Sequence, residues 1–78
     1  MKIEILGMGC QKCKELKENV LYALRVLNKK AEIQEIKDIE EIVNRGITRT
    51  PALIVNGNIV LEGQIADKSK LIEILKNY

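Results

Sequence analysis

The sequence predicts one α/β domain, residues 1–78, with the order β-α-β-α-β-β-α and a four-stranded mixed sheet flanked by three helices. Three observations lead to this fold class. Two short alternating apolar segments, at 2–6 and 31–36, are separated by a helical apolar repeat. An Asn-Gly dipeptide then joins two further apolar segments, and a second helical repeat follows. A chain of 78 residues has the size of a single small domain.

The change from alternating to helical spacing marks the first strand and the first helix. Lys2–Leu6 is expected to be a strand with Ile3 and Ile5 on one face and Leu6 on the other. Two glycines follow it, and apolar residues then recur at helical spacing from about residue 10 to residue 29. This spacing places Cys10 at or just before the first turn of a long helix.

The second strand is predicted at residues 31–36, where polar and apolar residues alternate again. Ile33 is separated from its exposed neighbours by this alternation. Burial of Ile36 on the same face requires a register change near Glu35, which is therefore expected.

The second helix has both a start and a stop signal. Asp38 followed by Glu41 has the spacing of a capping box, and Gly46 ends the helix. Asn56-Gly57 between residues 52–55 and 58–61 predicts a hairpin with positive φ at its turn. Asp67 is expected to cap the last helix.

Composition excludes several function classes. Thirteen basic residues are balanced by eleven acidic ones, and the chain has no Trp or Phe, so a nucleic-acid partner is not expected. No segment approaches the length of a membrane span, and the first residues lack the apolar stretch of a signal peptide. The sequence therefore predicts a cytoplasmic protein without a membrane partner.

Both cysteines of the chain lie in the motif Cys10-Gln11-Lys12-Cys13. A close cysteine pair in a cytosolic protein is more often redox-active or metal-binding than structural. A bridge between them would close a very short loop and would restrict the unfolded chain little. At a helix start, free backbone N–H groups and the helix dipole stabilise an anion, so Cys10 is the expected nucleophilic thiolate. Lys12 is expected to add positive potential.

The whole chain resembles the thioredoxin fold. In that fold the first strand leads into the helix that carries Cys-x-x-Cys, and a proline, usually cis, opens the third strand beside the sulfurs. Cys10 to Cys13 and Thr50-Pro51 occupy those places in this sequence. The small size resembles the thioredoxin/glutaredoxin-like small redox-active disulfide proteins.

The resemblance implies a thiol–disulfide oxidoreductase that uses no cofactor besides a redox-active Cys10–Cys13 disulfide, and no metal. Cys13 would resolve the mixed disulfide that Cys10 forms. Thr50, Pro51 and the two residues between the cysteines would orient the substrate. The expected partners are protein disulfides and an unidentified reductase, and the protein is expected to be a monomer.

Glu4 is a candidate proton acceptor, because thioredoxins carry a buried Asp six residues before the first cysteine. The competing interpretation is a solvated glutamate on a sheet edge, or a partner for a lysine. Both interpretations stay open at the level of sequence.

Two other functions compete with the redox one. Gly7-Met8-Gly9-Cys10-x-x-Cys13 differs by one residue from the motif of heavy-metal-associated domains, so a soft metal such as Cu(I) or Zn(II) could bind both thiolates. Those domains, however, run β-α-β-β-α-β. In a redox fold Met8 is expected to be a packing residue. The third possibility is a non-catalytic adaptor on the same fold.

Overall fold

The computed structural model describes residues 1–9 and 11–78. Within them it has the predicted order of elements, so the α/β fold class is confirmed. The elements are β1 (Lys2–Leu6), α1 (Gln11–Leu27), β2 (Glu32–Ile36), α2 (Ile39–Asn44), β3 (Ala52–Val55), β4 (Asn58–Glu62) and α3 (Lys68–Leu75). In this part of the chain no helix is long and apolar enough to cross a membrane.

The strands form one mixed sheet in the order β2-β1-β3-β4. β1 pairs with β2 in parallel, whereas β3 is antiparallel to both β1 and β4. The ends of β1, β2 and β4 and the start of β3 therefore lie at one edge of the sheet. Hydrogen bonds continue past the strands there, from Gly7 N–H to Ile36 O and from Gly63 N–H to Pro51 O, both 2.9 Å.

Both faces of the sheet carry a hydrophobic core, because successive side chains of β1 point to opposite sides. Ile3 and Ile5 face the larger core, which contains residues of α1 and α3 such as Leu16 and Leu71. Leu6 faces a smaller core with α2. The other members of the smaller core are Ile36, Ile42, Ile47, Ala52 and Ile54.

The two-sided core corrects the prediction for β2. The pairing with β1 runs without interruption from Lys2↔Glu32 to Leu6↔Ile36. Ile33 packs on the larger core and Ile36 is part of the smaller one, so each isoleucine is covered on its own side. The register change expected near Glu35 is therefore wrong, because it assumed that only one face of the sheet is buried.

Side-chain caps begin the two shorter helices, as predicted. Asp38 Oδ1 accepts a hydrogen bond from Glu40 N–H at 3.1 Å, and Asp67 Oδ1 accepts one from Lys70 N–H at 2.8 Å. The Glu41 carboxylate does not complete the capping box. It accepts a hydrogen bond from Arg45 Nε instead.

The first helix ends at Leu27, two residues before the predicted end. Asn28 has a φ of 54°, a left-handed conformation that stops a helix. The Lys29 ammonium then donates to the carbonyl oxygens of Leu75 and Lys76 at 3.0 and 3.2 Å. These contacts satisfy carbonyl groups at the end of α3 and connect it to the end of α1.

The hairpin between β3 and β4 has the predicted turn. Asn56 and Gly57 have φ values of 51° and 84°, which are those of a type I′ turn. The pairing shifts between Leu53 and Ile54, which face Leu61 and Ile59, so Val60 is an extra residue in β4. This β-bulge bends the outer strand of the hairpin.

Candidate active site

The first turn of α1 brings Cys13 to the sheet edge where β1 ends. Cys13 is buried, with 6% of its surface exposed, whereas Gln11 and Lys12 are exposed. Cys10 lies outside the described residues. The dipole of α1 gives this end of the helix a positive potential.

Cys13 packs against the end of β1. A Cβ atom at Gly7 would lie less than 3.0 Å from Cys13 Sγ and 3.9 Å from Pro51 Cα. The Cys13 sulfur and the start of β3 therefore both lie close to the position that a side chain of Gly7 would occupy. The structure thus brings Cys13 and Pro51, both predicted as site residues, to the same glycine.

The Thr50–Pro51 peptide bond is cis. Pro51 is buried and its carbonyl oxygen accepts the hydrogen bond from Gly63 described above, whereas Thr50 is exposed. The chain thus presents Thr50 at the surface beside a buried proline.

Glu62 at the end of β4 holds the segment that precedes this proline. Its carboxylate accepts hydrogen bonds from Thr48 N–H at 2.8 Å and Thr48 Oγ1 at 3.0 Å. These bonds stabilise the ionised carboxylate and lower the pKa of Glu62 below its usual value of 4.5. The sequence does not reveal this contact, because Glu62 lies one residue beyond the predicted strand.

Glu4 is 4% exposed and forms an ion pair with Arg45 at the end of α2. The interpretation of Glu4 as a solvated residue is therefore wrong. Arg45 also donates to Glu41 at 3.0 Å, and the hydrogen bonds to Glu4 first and Glu41 second raise the pKa of the guanidinium. Because Glu4 alternates with Ile3 and Ile5 along β1, it lies on the face that α2 covers. The proton-acceptor role stays a prediction.

Two more residues at this edge have positions that were not expected from the sequence. Met8, expected to be a packing residue, is 65% exposed and contributes to the surface rather than to either core. Lys37 directly follows β2, and its Nζ lies 3.9 Å from where a Cβ of Gly9 would be. The parallel pairing of β1 and β2 brings this ammonium next to the loop before Cys10, a neighbour that the Cys-x-x-Cys motif alone does not reveal.

A shallow cavity of about 180 Å³ lies between this loop and α2. Apolar side chains dominate its lining, with two threonines from the segment before Pro51. The lining residues are Met8, Ile39, Ile42, Val43, Ile47, Thr48 and Thr50. An apolar depression therefore adjoins the edge that carries Cys13.

Comparison with known proteins agrees with this geometry. The family model described as a thioredoxin domain matches residues 1–76. The chain belongs to the thioredoxin family. A thioredoxin of Methanothermobacter thermautotrophicus is 37% identical over 75 residues, covering 96% of this chain and 97% of the relative. A thioredoxin of Methanocaldococcus jannaschii is 38% identical over 76 residues, covering 97% of this chain and 87% of the relative.

Membership of the thioredoxin family confirms the resemblance found in the sequence. It supports a redox function of the thioredoxin type and an oxidoreductase activity in general. The observed order of elements also differs from the β-α-β-β-α-β order of heavy-metal-associated domains. The match between Gly7 to Cys13 and the metal-binding motif is therefore local.

We predict that Arg45→Met lowers the free energy of unfolding more than Glu4→Gln does. Loss of Arg45 leaves the Glu4 carboxylate buried without its cation, whereas a glutamine at position 4 can still accept a hydrogen bond from Arg45. Urea unfolding of both variants and of the double variant measures the difference. An equal loss in the two single variants would contradict an ion pair that compensates the burial of Glu4.

We also predict that the stabilising effect of Glu62 depends on pH. Because folding lowers its pKa, the effect is complete above the unfolded value, near 4.5, and disappears as the pH falls through the lower folded value. The difference in unfolding free energy between the parent and Glu62→Gln should therefore shrink between neutral pH and pH 3. Glu15→Gln, at an exposed position of α1, is the matched control. A difference that is constant with pH would show that the carboxylate charge is not involved.

Proposed function

We propose that this protein is a cytosolic thiol–disulfide oxidoreductase that reduces or exchanges protein disulfides through Cys10 and Cys13. A separate reductase, not yet identified, would return the oxidised pair to the dithiol. Membership of the thioredoxin family supports the general activity. The dithiol mechanism and the protein substrates are the proposal.

The observation that carries the proposal is the position of Cys13. It lies buried in the first turn of α1 and against Gly7, and a Cβ at position 7 would approach both the Cys13 sulfur and Pro51. A resolving cysteine needs this combination, because it must be shielded from other thiols and yet lie within one helical turn of the nucleophile. Cys10 precedes Gln11, the first residue of α1, in the sequence.

The proposed reaction transfers two electrons in two exchange steps. The Cys10 thiolate attacks one sulfur of the partner disulfide, and the other partner sulfur leaves as a thiolate. Cys13 then loses its proton and attacks the Cys10 sulfur of the mixed disulfide. The second partner sulfur leaves as a thiolate, both partner thiols take up protons, and the Cys10–Cys13 disulfide holds the oxidised state.

Positive charge at this edge favours the first step. The N-terminus of α1 and the ammonium of Lys37 beside Gly9 both stabilise an anion that forms next to them. Lys12 is exposed in the first turn and adds to the same potential. The pKa of the Cys10 thiol is accordingly proposed to lie below its value in a free cysteine, about 8.5.

The surface around this edge suits a protein substrate. Thr50 is exposed before the buried Pro51, so its backbone is available to an extended segment of a partner. The apolar depression with Met8, Ile39 and Val43 offers contacts for the side chains of such a segment. Gln11 and Lys12 are exposed in the first turn of α1 and would contact the same partner.

For Glu4 we propose a structural role. The ion pair with Arg45 attaches the end of α2 to the centre of the sheet and provides the cation that a buried carboxylate needs. This role and proton transfer predict different results in a Cys10→Ser background. Proton transfer requires that Glu4→Gln shifts the pH profile of Cys13 alkylation, and the structural role requires that it does not.

Soft-metal binding is the alternative from another class. Two thiolates supply half of a tetrahedral site. Among residues 1–9 and 11–78, no group of three or more His, Cys, Asp or Glu side chains could hold a metal ion. A tetrahedral Zn(II) site would need two ligands besides the cysteine thiolates. A non-catalytic adaptor, the third alternative, would work equally well with Cys10→Ser.

We predict that the thiol content of the metal-free protein follows a reversible two-electron transition across a series of redox buffers. Its midpoint should fall within the range of related dithiol proteins, about −270 to −120 mV. Cys10→Ser and Cys13→Ser should each abolish it. No transition in the parent, together with uptake of one metal ion per chain or per dimer, would replace the redox proposal by the metal alternative.

A second prediction concerns Lys37. The test uses a Cys13→Ser background, where Cys10 is the remaining thiol, and measures the pKa of Cys10 from the pH dependence of its alkylation rate. Lys37→Gln should raise this pKa by about 0.2–0.5 unit, as expected for the loss of an exposed positive charge. The shift should disappear in 1 M salt, where the screening length is about 3 Å. Lys30→Gln, an exposed charge after α1, is the control. Equal shifts from both variants would show a general effect of net charge.

A further inference from the structure

The backbone conformation of Gly7 is one that residues with a side chain can also adopt. Its N–H donates to Ile36 O at 2.9 Å, so it continues the ladder between β1 and β2. The other four glycines of the chain have φ values between 73° and 84°, a region that other residues rarely adopt, and Gly7 is not among them. A side chain at position 7 would thus be compatible with the backbone conformation.

A side chain at position 7 is excluded because the Cys13 sulfur occupies the space that it would need. Along β1, positions 3, 5 and 7 point to the same face, the one that α1 covers. A Cβ at position 7 would lie less than 3.0 Å from Cys13 Sγ, a distance that real Cβ atoms essentially never show. The same Cβ would be 3.6 Å from Cys13 Cβ, which is ordinary van der Waals contact. The conflict is therefore with the sulfur.

We propose that Gly7 is a positioning residue for Cys13, because the absence of a side chain at position 7 provides the space in which the Cys13 sulfur lies. This inference rests on the proposed function and adds a determinant of the redox equilibrium outside the Cys-x-x-Cys motif. The sulfur is at the end of a side chain with one rotatable bond, so a methyl group at position 7 displaces it without breaking the strand. The backbone of Gly7 is held by its hydrogen bond to Ile36.

Displacement of the sulfur affects the two redox states differently. A disulfide fixes the S–S distance and the dihedral angle about it, and deviations from that geometry are costly. A dithiol accepts other side-chain rotamers at little cost. A methyl group at position 7 therefore destabilises the disulfide relative to the dithiol, and the couple becomes more oxidising.

The experiment compares the parent, Gly7→Ala and Gly46→Ala by thiol titration in glutathione buffers. Gly46→Ala is the matched control, because its φ of 79° makes alanine unfavourable there while nothing lies within 4 Å of the new Cβ. In Gly7→Ala the equilibrium constant for disulfide formation should fall at least tenfold, equivalent to about 30 mV for two electrons. Gly46→Ala should lose stability and keep the parent equilibrium constant.

The outcomes separate this inference from the proposed function. A parent with no redox transition overturns the proposed function and this inference with it. A parent with a transition, and a Gly7→Ala equilibrium constant within twofold of it, overturns the inference alone. A tenfold decrease that Gly46→Ala reproduces also overturns it, because loss of stability would then explain the result.

A double-variant cycle tests the contact if Gly7→Ala folds poorly. With Cys13→Ala the sulfur is absent and the remaining Cβ lies at an acceptable distance. The cost of Gly7→Ala in unfolding free energy should then be much smaller in the Cys13→Ala background than in the parent. Equal costs in the two backgrounds would show that Gly7 is required for another reason, and would overturn the proposal independently of any redox measurement.

Discussion

The burial of β1 on both faces is the constraint on which the rest of the structure depends. Its alternating residues point into two different cores, so a helix is needed on each side of the sheet. α1 and α3 cover one side, and α2 covers the other. The buried Glu4 is part of the same constraint, because a carboxylate in a strand covered on both faces needs a cation, and Arg45 at the end of α2 provides it.

The parallel pairing of β1 and β2 determines which residues meet at the sheet edge that carries Cys13. Both strands end there, so Gly9 and Lys37 become neighbours although they are 28 positions apart in the sequence. The antiparallel β3 begins at the same edge and brings Pro51 to it. The chemistry around Cys13 is therefore assembled from the ends of three strands and the start of one helix, as is common in open α/β sheets.

Features set by neighbouring residues could be predicted from the sequence, and features set by tertiary contact could not. The turn at Asn56-Gly57 and the cap at Asp67 depend on local backbone conformation and chemistry, and both were predicted correctly. The register of β2 required knowledge that both faces are buried. The placement of Cys13 against Gly7 depends on how α1 lies on the sheet, and no spacing of residues in a single segment encodes that distance.

The bulge in the hairpin has a consequence for the outer edge of the sheet. β2 and β4 are the outermost strands, and the free hydrogen-bonding groups of such strands can join to the sheets of other molecules. The extra residue Val60 bends β4, and Glu32 and Glu35 place charges along β2, both of which oppose aggregation through strand edges. Both outer strands are therefore poor templates for an exposed strand of another chain.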